Sequence, residues 1–420
     1  MNQTPRSPDA EVGCGHGEQS ISVAEALAHI RTELSPLSGS ERVPLDQALD
    51  RLLDRAVDAP IDVPGHDNSA MDGYAVRFQD LQPGQRLRII GEAFAGHVFE
   101  GSVGPGECVR IMTGGVVPAG ADTVVMQEKA HRDGAEVWFN GTHQPASNIR
   151  RRGEDIRAGE LVLPAGRRLG PADLGLLASL GVAEVNVRRR LKVAIMSTGD
   201  ELRLAGEKLG PGQIYDSNRY TLRGMLTRFG AEVLDLGVVA DQPDRLSQAL
   251  DQVAEKADVI ITSGGVSVGE ADYVTALLAE RGSVGFWKIN IRPGRPLAFG
   301  GFGKAAFFGL PGNPVSVMVT FCQIVLPALE HLQGLAEAQR LRLRAMLTEP
   351  IRKKDPRREF QRGVMSMVDD GSIQVRTTGS QSSGVLRSMS DANCFIVLPE
   401  GPAALKVGDW VTVEPLIGVG

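Results

Sequence analysis

What this 420-residue chain has little of removes several classes of function before any motif is read. Cysteine occurs four times, at Cys14, Cys108, Cys322 and Cys394, far apart and never as CxxC. Thiols so spaced, mostly in apolar surroundings, read as buried structural cysteines in a reducing compartment and not as a zinc site. Positive charge is not in excess: the net charge is −6 and no long basic run occurs. Affinity for a polyanion comes largely from clustered Lys and Arg, so no nucleic-acid surface is expected. No apolar stretch approaches the roughly 20 residues that cross a bilayer, so no membrane span is expected. Residues 1–19 lack the apolar core of a secretory signal and read as a disordered leader. The expected address is the cytoplasm. The seven histidines are scattered, without paired metal-ligand spacing or a Ser–His–Asp order. His66 alone stands near a candidate loop, as a hydrogen-bonding residue.

What is there is ordinary in bulk and unusual in its loops. Hydrophobic content of 42% and charged content of 23% are those of a globular protein, and the length asks for two to four domains. "SVAEALAHIRTEL" has capping-box spacing between Ser22 and Glu25 and one apolar face, and "PLDQALDRLLDRAV" (44–57) reads as a second amphipathic helix. From residue 61 to 147 short apolar runs are broken by Gly and Pro, which predicts a small inserted β domain. Helical patterning resumes at 170–181 with Gly181 as terminator, so 20–60 and 148–187 are expected to form one segmented helical domain. Residues 188–339 alternate strands with helices and predict a doubly wound parallel α/β domain. Residues 340–420 alternate as a second β domain.

Three loops of the α/β stretch fall at strand-to-helix junctions: "STGDEL" (197–202), "TSGGVSVGEAD" (262–272) and "GLPGNPVS" (309–316). Ligands of open α/β sheets bind beyond the carboxyl ends of the strands, where backbone N–H groups and helix dipoles receive oxyanions. Any one such loop reads equally as a tight turn; three in one sheet concentrate Gly and Ser beyond what connections need. Gly264, Gly265, Ser267 and Gly269 would present donors to phosphate, and Ser197, Thr198, Gly199, Pro311, Gly312, Pro314 and Ser316 line the other two loops. The acids follow the same geography, with Glu201 ending the first loop, Asp241 ending the strand "DLGVVAD" and Asp272 ending the second loop, where each alone could be a helix cap or a solvated acid. Acids beside an anion cradle repel it unless a cation intervenes, and Mg²⁺ takes one or two carboxylates with phosphate oxygens and water. "FWKINIRPGRP" brings Lys288, Arg292 and Arg295 on an extended segment, either as a solvated strand or as an anion holder. "NIRRRGED" is similarly open between a solvated run and a clamp, and Arg188 to Arg190 read as a solvated domain junction.

At "DVPGHDNSAMDGYAV", "IMTGGVVPAGADTVVMQE", "NIRRRGEDI", "STGDEL", "IYDSNRY", "TSGGVSVGEADY", "IRPGRPLAFG", "GLPGNPVS" and "FQRG" the sequence resembles the molybdopterin molybdenumtransferases, a family that includes the E domain of gephyrin. The resemblance covers about residues 20–420 and implies four subdomains, the last barrel-like, and an elongated homodimer with a cleft shared between subunits. It implies Mg-dependent insertion of molybdate, as a substrate, into adenylylated molybdopterin, with release of AMP. Functional positions implied by the resemblance are Asp72, Thr113, Asp155, Glu201, Asp241, Asp272, Lys288, Pro311, Pro314, Arg362 and Ser383, with Arg292 where relatives often carry Lys. A flat guanidinium there keeps the charge and changes its geometry. Relatives also carry a Lys where this chain has Val274 and Thr275. Transient contacts with the adenylyltransferase and with acceptor molybdoenzymes are implied too. The competing readings are an adenylyltransferase or nucleotide hydrolase on the same α/β module, a gephyrin-like scaffold, and a molybdate storage protein.

Overall fold

The computed structural model describes residues 20–264, 277, 280–335 and 340–416. The chain separates into two compact units, Met1–Gly39 with Arg189–Gly420, and Ser40–Arg188.

The first unit is built on a seven-stranded sheet in the order Ser20–Ile21, Ser283–Ile289, Pro296–Phe302, Ala305–Leu310, Val259–Ser263, Lys192–Thr198, Glu232–Val239. Its central strands are apolar at consecutive positions because both faces are covered. Along Lys192–Thr198, Val193 and Ile195 enter one core while Ala194 and Met196 enter the core on the opposite face. The four strands from Ala305–Leu310 to Glu232–Val239 are parallel, as the βα alternation predicts. Pro296–Phe302 instead runs antiparallel to both neighbours. Its connection to Ala305–Leu310 is Gly303 and Lys304 alone, with Gly303 at φ 61°, and two residues can join only antiparallel strands. Strand Ser283–Ile289 is restored by this double reversal to the common direction, so its carboxyl end lies on the same edge as Thr198, Ser263 and Leu310.

Ser22 caps Val23–Glu33 through a full capping box. Its Ala26 and Ile30 are buried in the sheet core, so residues 20–39 pack with the α/β unit and not with the helical segment expected around them. The Pro314–Leu332 helix is 19 residues long and apolar enough to cross a membrane by length and composition, against the expectation of no such stretch. It is mostly buried, and its apolarity is that of a core element facing Ile289, Phe299 and Phe308. A π-turn at Phe321–Val325 interrupts it. There Gln323 donates to Glu414 at 3.0 Å, both buried, and joins the helix to the carboxyl-terminal domain. That domain closes Arg358–Met367, Ile373–Thr377, Leu343–Leu347, Trp410–Pro415 and Cys394–Leu398 into a five-stranded barrel through the pairing of the first with the last.

The second unit carries a six-stranded sheet in the order Thr123–Met126, Gly73–Val76, Glu107–Ile111, Leu87–Ala93, Glu136–Phe139, Ala130–Asp133, with an apolar cluster on each face. Pro171–Ser179 is a helix as predicted, followed by Gly181 at φ 73°. The helix expected over 44–57 does not form. The stretch holds strand Ser40–Pro44 and a 3₁₀ turn at Leu45–Gln47, Asp50 takes φ 61°, and Leu52 and Leu53 bridge Arg168 and Val187. Two adjacent buried leucines suit an extended backbone between two layers better than one helical face. Arg189, read as solvated, is in fact fixed by Asp258 at 2.7 and 2.8 Å.

Gly73 is where this second sheet is tightest: a Cβ there would lie 1.9 Å from the Val125 carbonyl oxygen. Gly73→Ala is expected to cost about 3 kcal/mol or more, because backbone and not a side chain must move. Urea unfolding monitored by the fluorescence of Trp138, which lies in this sheet, checks it.

Candidate active site

The chain leaves Lys192–Thr198 for Glu232–Val239 on one side and reaches Val259–Ser263 on the other. The carboxyl ends of the first and last of these therefore bound the crevice at the switch of strand order. Two backbones approach closely there. Gly264 has φ 89°, and a Cβ on it would stand 2.5 Å from the Thr198 carbonyl oxygen. Gly199, at φ 150°, lies under the Glu201 carboxylate.

The side chains divide by face. Toward the Asn218–Phe229 helix, the buried Ser197 hydroxyl donates to Asp216 Oδ1 at 3.0 Å. Asp216, itself buried, also accepts from Arg219 Nε at 3.0 Å, and Arg219 Nη1 reaches Asp235 at 2.8 Å. Asn218 Nδ2 donates to Ser263 Oγ at 2.8 Å and to the Gly312 carbonyl at 2.7 Å, linking the second and third loops. On the other face Thr198 and Thr262 carry buried hydroxyls without a hydrogen-bond partner. Pro311 and Ser316 are buried, whereas Gly312 is exposed and a Cβ on it would meet nothing within 4 Å. Glu201 is exposed and Asp241 half-buried, after adjacent parallel strands. Gly265, Ser267, Gly269, Glu270 and Asp272 lie outside the described residues.

The basic segment continues from the same edge. Lys288 is half-buried near the end of its strand. Arg292 is exposed, 3.8 Å from Asp355, and its short strand Ile291–Arg292 pairs with Arg358–Met367 of the barrel. Gly294 turns this segment at φ 101°, and a Cβ there would meet Thr320 Oγ1 at 2.4 Å. Arg295 lies 3.4 Å from Ser20 Oγ. Arg362 is 1% exposed, donating from Nε to Ser388 Oγ at 3.1 Å and from Nη2 to the Ser382 carbonyl at 3.2 Å. Burial pushes its guanidinium down to about 10, Glu359 opposes the shift, and the neighbouring Arg292 adds to it. The adjoining Ser383 carbonyl accepts from the Val315 N–H at 3.1 Å, so the loop holding Arg362 also holds the third crevice loop.

In the second unit Asp72 Oδ1 accepts from both the N–H and the hydroxyl of Thr113 at 2.8 Å. The Thr113 N–H first, then its hydroxyl, hold this carboxyl below its ordinary range. Asp155 is exposed on a loop whose arginines are not free: Arg151 pairs with Asp67 at 2.6 Å and Arg152 with Asp62 at 2.5 Å. Two of the three arginines of that motif thus tie their loop to the upstream segment that carries Asp62 and Asp67. Asp216, Asn218, Ser263 and Ser388 were not singled out from the sequence. The first two sit in "IYDSNRY", whose Asp-Ser-Asn at a helix start was the available signal.

Three family descriptions match in order: the MoeA N-terminal region (domain I and II) over residues 21–181, a probable molybdopterin binding domain over 194–331, and the MoeA C-terminal region (domain IV) over 344–416. A molybdopterin molybdenumtransferase of Haemophilus influenzae is 46% identical over 356 residues, 84% of this chain and 88% of that one. One from a Nostoc species is 37% identical, over 84% of this chain and 83% of that one. The crystal structure of a molybdopterin biosynthesis MoeA protein of Pyrococcus horikosii superposes with a TM-score of 0.79 at 32% identity, covering 94% of this chain and 99% of the other. Chemistry-bearing strand ends, the bridging basic segment and these matches over most of the chain lead to one conclusion: the chain belongs to the molybdopterin molybdenumtransferase family, enzymes of molybdenum cofactor biosynthesis.

Proposed function

We propose that this protein inserts molybdate into adenylylated molybdopterin, cleaving the phosphoanhydride, releasing AMP and leaving the metal on the pterin dithiolene. Arg362 carries the reading: a desolvated guanidinium tied to the loop that also fixes the Pro311–Ser316 turn of the crevice. With Nε and Nη2 spent on Ser388 and Ser382, it acts as a fixed positive charge that favours an oxyanion nearby. Lys288 and the exposed Arg292 would hold molybdate, and the buried charge of Arg362 near Arg292 would help offset charge developing at the cleaved phosphate, an effect that is large where water is excluded. The strand-end residues Thr198, Gly199 and Gly264 would border the nucleotide, with Ser197 fixing the edge through Asp216.

Magnesium is the proposed metal, and the donor chemistry agrees with it. Glu201 and Asp241 follow neighbouring strands, and carboxylates are what this ion takes singly or in pairs beside phosphate and water. Asp272 is the third candidate. Bound there, the ion would supply the positive charge that lets acids and phosphates share the crevice. We also propose a homodimer in which Asp72, Thr113 and Asp155 of one subunit serve the crevice of its partner, in the cytoplasm. An adenylyltransferase would supply the substrate and molybdoenzymes would take the product. The described cysteines, all buried and unpaired, suit that compartment.

Purified protein given adenylylated molybdopterin should release AMP only when molybdate is added; release at the same rate without it, or consumption of ATP instead, rejects the reading. Asp241→Ala should fold and lose about two orders of magnitude in that release. Gly294→Ala should displace the basic turn and reduce turnover at fixed molybdate roughly 10²-fold, an effect of misplacement that excess molybdate partly restores. Mixing inactive Asp72→Ala and Asp272→Ala subunits should recover activity through heterodimers, measured after subunit exchange.

A further inference from the structure

We propose that Asn218 is a positioning residue of the nucleotide crevice, holding the end of strand Val259–Ser263 and the Gly312 turn in one register without touching the substrate. The inference rests on the nucleotide reading of that crevice given above. Asn218 is the first residue of the Asn218–Phe229 helix, and the chain just before it is immobilised by Asp216. That buried carboxylate accepts from Ser197 Oγ and from both the N–H and Nε of Arg219. From this anchored base one amide nitrogen spends both hydrogens across the sheet edge, on Ser263 Oγ at 2.8 Å and on the Gly312 carbonyl at 2.7 Å. A single side chain thus joins elements that follow three different strands.

The other end of the amide explains why the role is functional and not merely structural. Asn218 Oδ1 is buried and has no hydrogen-bond partner. An enclosed acceptor left unsatisfied opposes stability, and it offsets much of what the two donated bonds contribute. The orientation is not interchangeable, since only a donor can meet the Gly312 carbonyl. Because Oδ1 is enclosed, no ligand atom reaches it, and the residue acts through Ser263 and Gly312. A Cβ on Gly312 would meet nothing within 4 Å, so no side chain packs over that position, and the amide joins the Val315–Ser383 bond in holding the turn.

The test uses the full-length protein with AMP as the binding probe and adenylylated molybdopterin with molybdate for kinetics. Asn218→Ala should melt within a few degrees of the native protein and bind AMP about tenfold more weakly. Its KM for the adenylylated substrate should rise by a similar factor with kcat nearly unchanged, because loop register affects ground and transition states alike. Asn218→Asp, which sets a carboxylate oxygen against the Gly312 carbonyl at equal size, should be worse than Ala. Native affinity for AMP in Asn218→Ala overturns the inference, as does a fall in melting temperature that accounts for all lost activity. An Asp variant no worse than the Ala variant overturns the hydrogen-bond assignment. If the native protein itself binds no AMP, the nucleotide reading fails first, and the two failures are told apart.

Discussion

Much in the first unit depends on how closely two backbones meet at the edge of its sheet. Thr198 and Gly264 end neighbouring parallel strands, and the Thr198 carbonyl occupies the space where any Cβ at position 264 would go. Glycine is required there twice over, once for the contact and once for φ 89°. The approach brings two loops to one crevice at the switch of strand order, and the third loop reaches it through Asn218. Serine and threonine at the last strand positions then serve opposite faces. Ser197 and Ser263 are consumed by the Asp216 and Asn218 network, while Thr198 and Thr262 keep partnerless hydroxyls. Strand alternation alone separates the residues that hold the crevice from those whose hydroxyls stay enclosed on the other face.

The basic side is arranged by a different constraint, the joining of sheet and barrel within this unit. Segment 290–295 leaves the sheet and pairs at Ile291–Arg292 with the barrel strand that carries Arg362. Gly294 seats against Thr320, and the Ser382–Ser383 turn ties Arg362 to the start of the long core helix. The buried Gln323–Glu414 bond fixes the same helix to another barrel strand. A hydrogen bond to a buried charged group contributes about 1.5–3 kcal/mol, so the seam that aligns the arginines is held in part by groups remote from them.

Much of this was readable in the sequence. Alternating apolar runs and helix stops located the α/β stretch, the capping box at Ser22 formed as read, and the glycine loops fell at strand ends. The failures have physical causes. The period of 44–57 fits a helix, but Leu52 and Leu53 are claimed by strands more than a hundred residues away, a tertiary demand no local pattern reveals. Residues 20–39 were assigned by adjacency in sequence, although their apolar face belongs to a core built mostly after residue 188. The arginines of "NIRRRGED" could not be divided into solvated and clamping ones, because Asp62 and Asp67 arrive from far upstream. Asn218 was invisible as a cross-link since both its acceptors are distant in sequence and one is a main-chain oxygen.

A division of charge follows from these two constraints. The acids Glu201 and Asp241 belong to turns after parallel strands, where the chain is free to present carboxylates beside amide donors. The cations Arg292 and Arg362 belong to the seam with the barrel, and Arg362 is desolvated enough to lose part of its hold on the proton. On the proposed function, two anionic substrates would meet at a site with distinct ends and not in one undivided cationic pocket. An end built of acids and amides accepts phosphate only together with a divalent cation, whereas an end built of guanidinium accepts a compact oxyanion directly. On that function, each substrate would meet a different kind of positive charge.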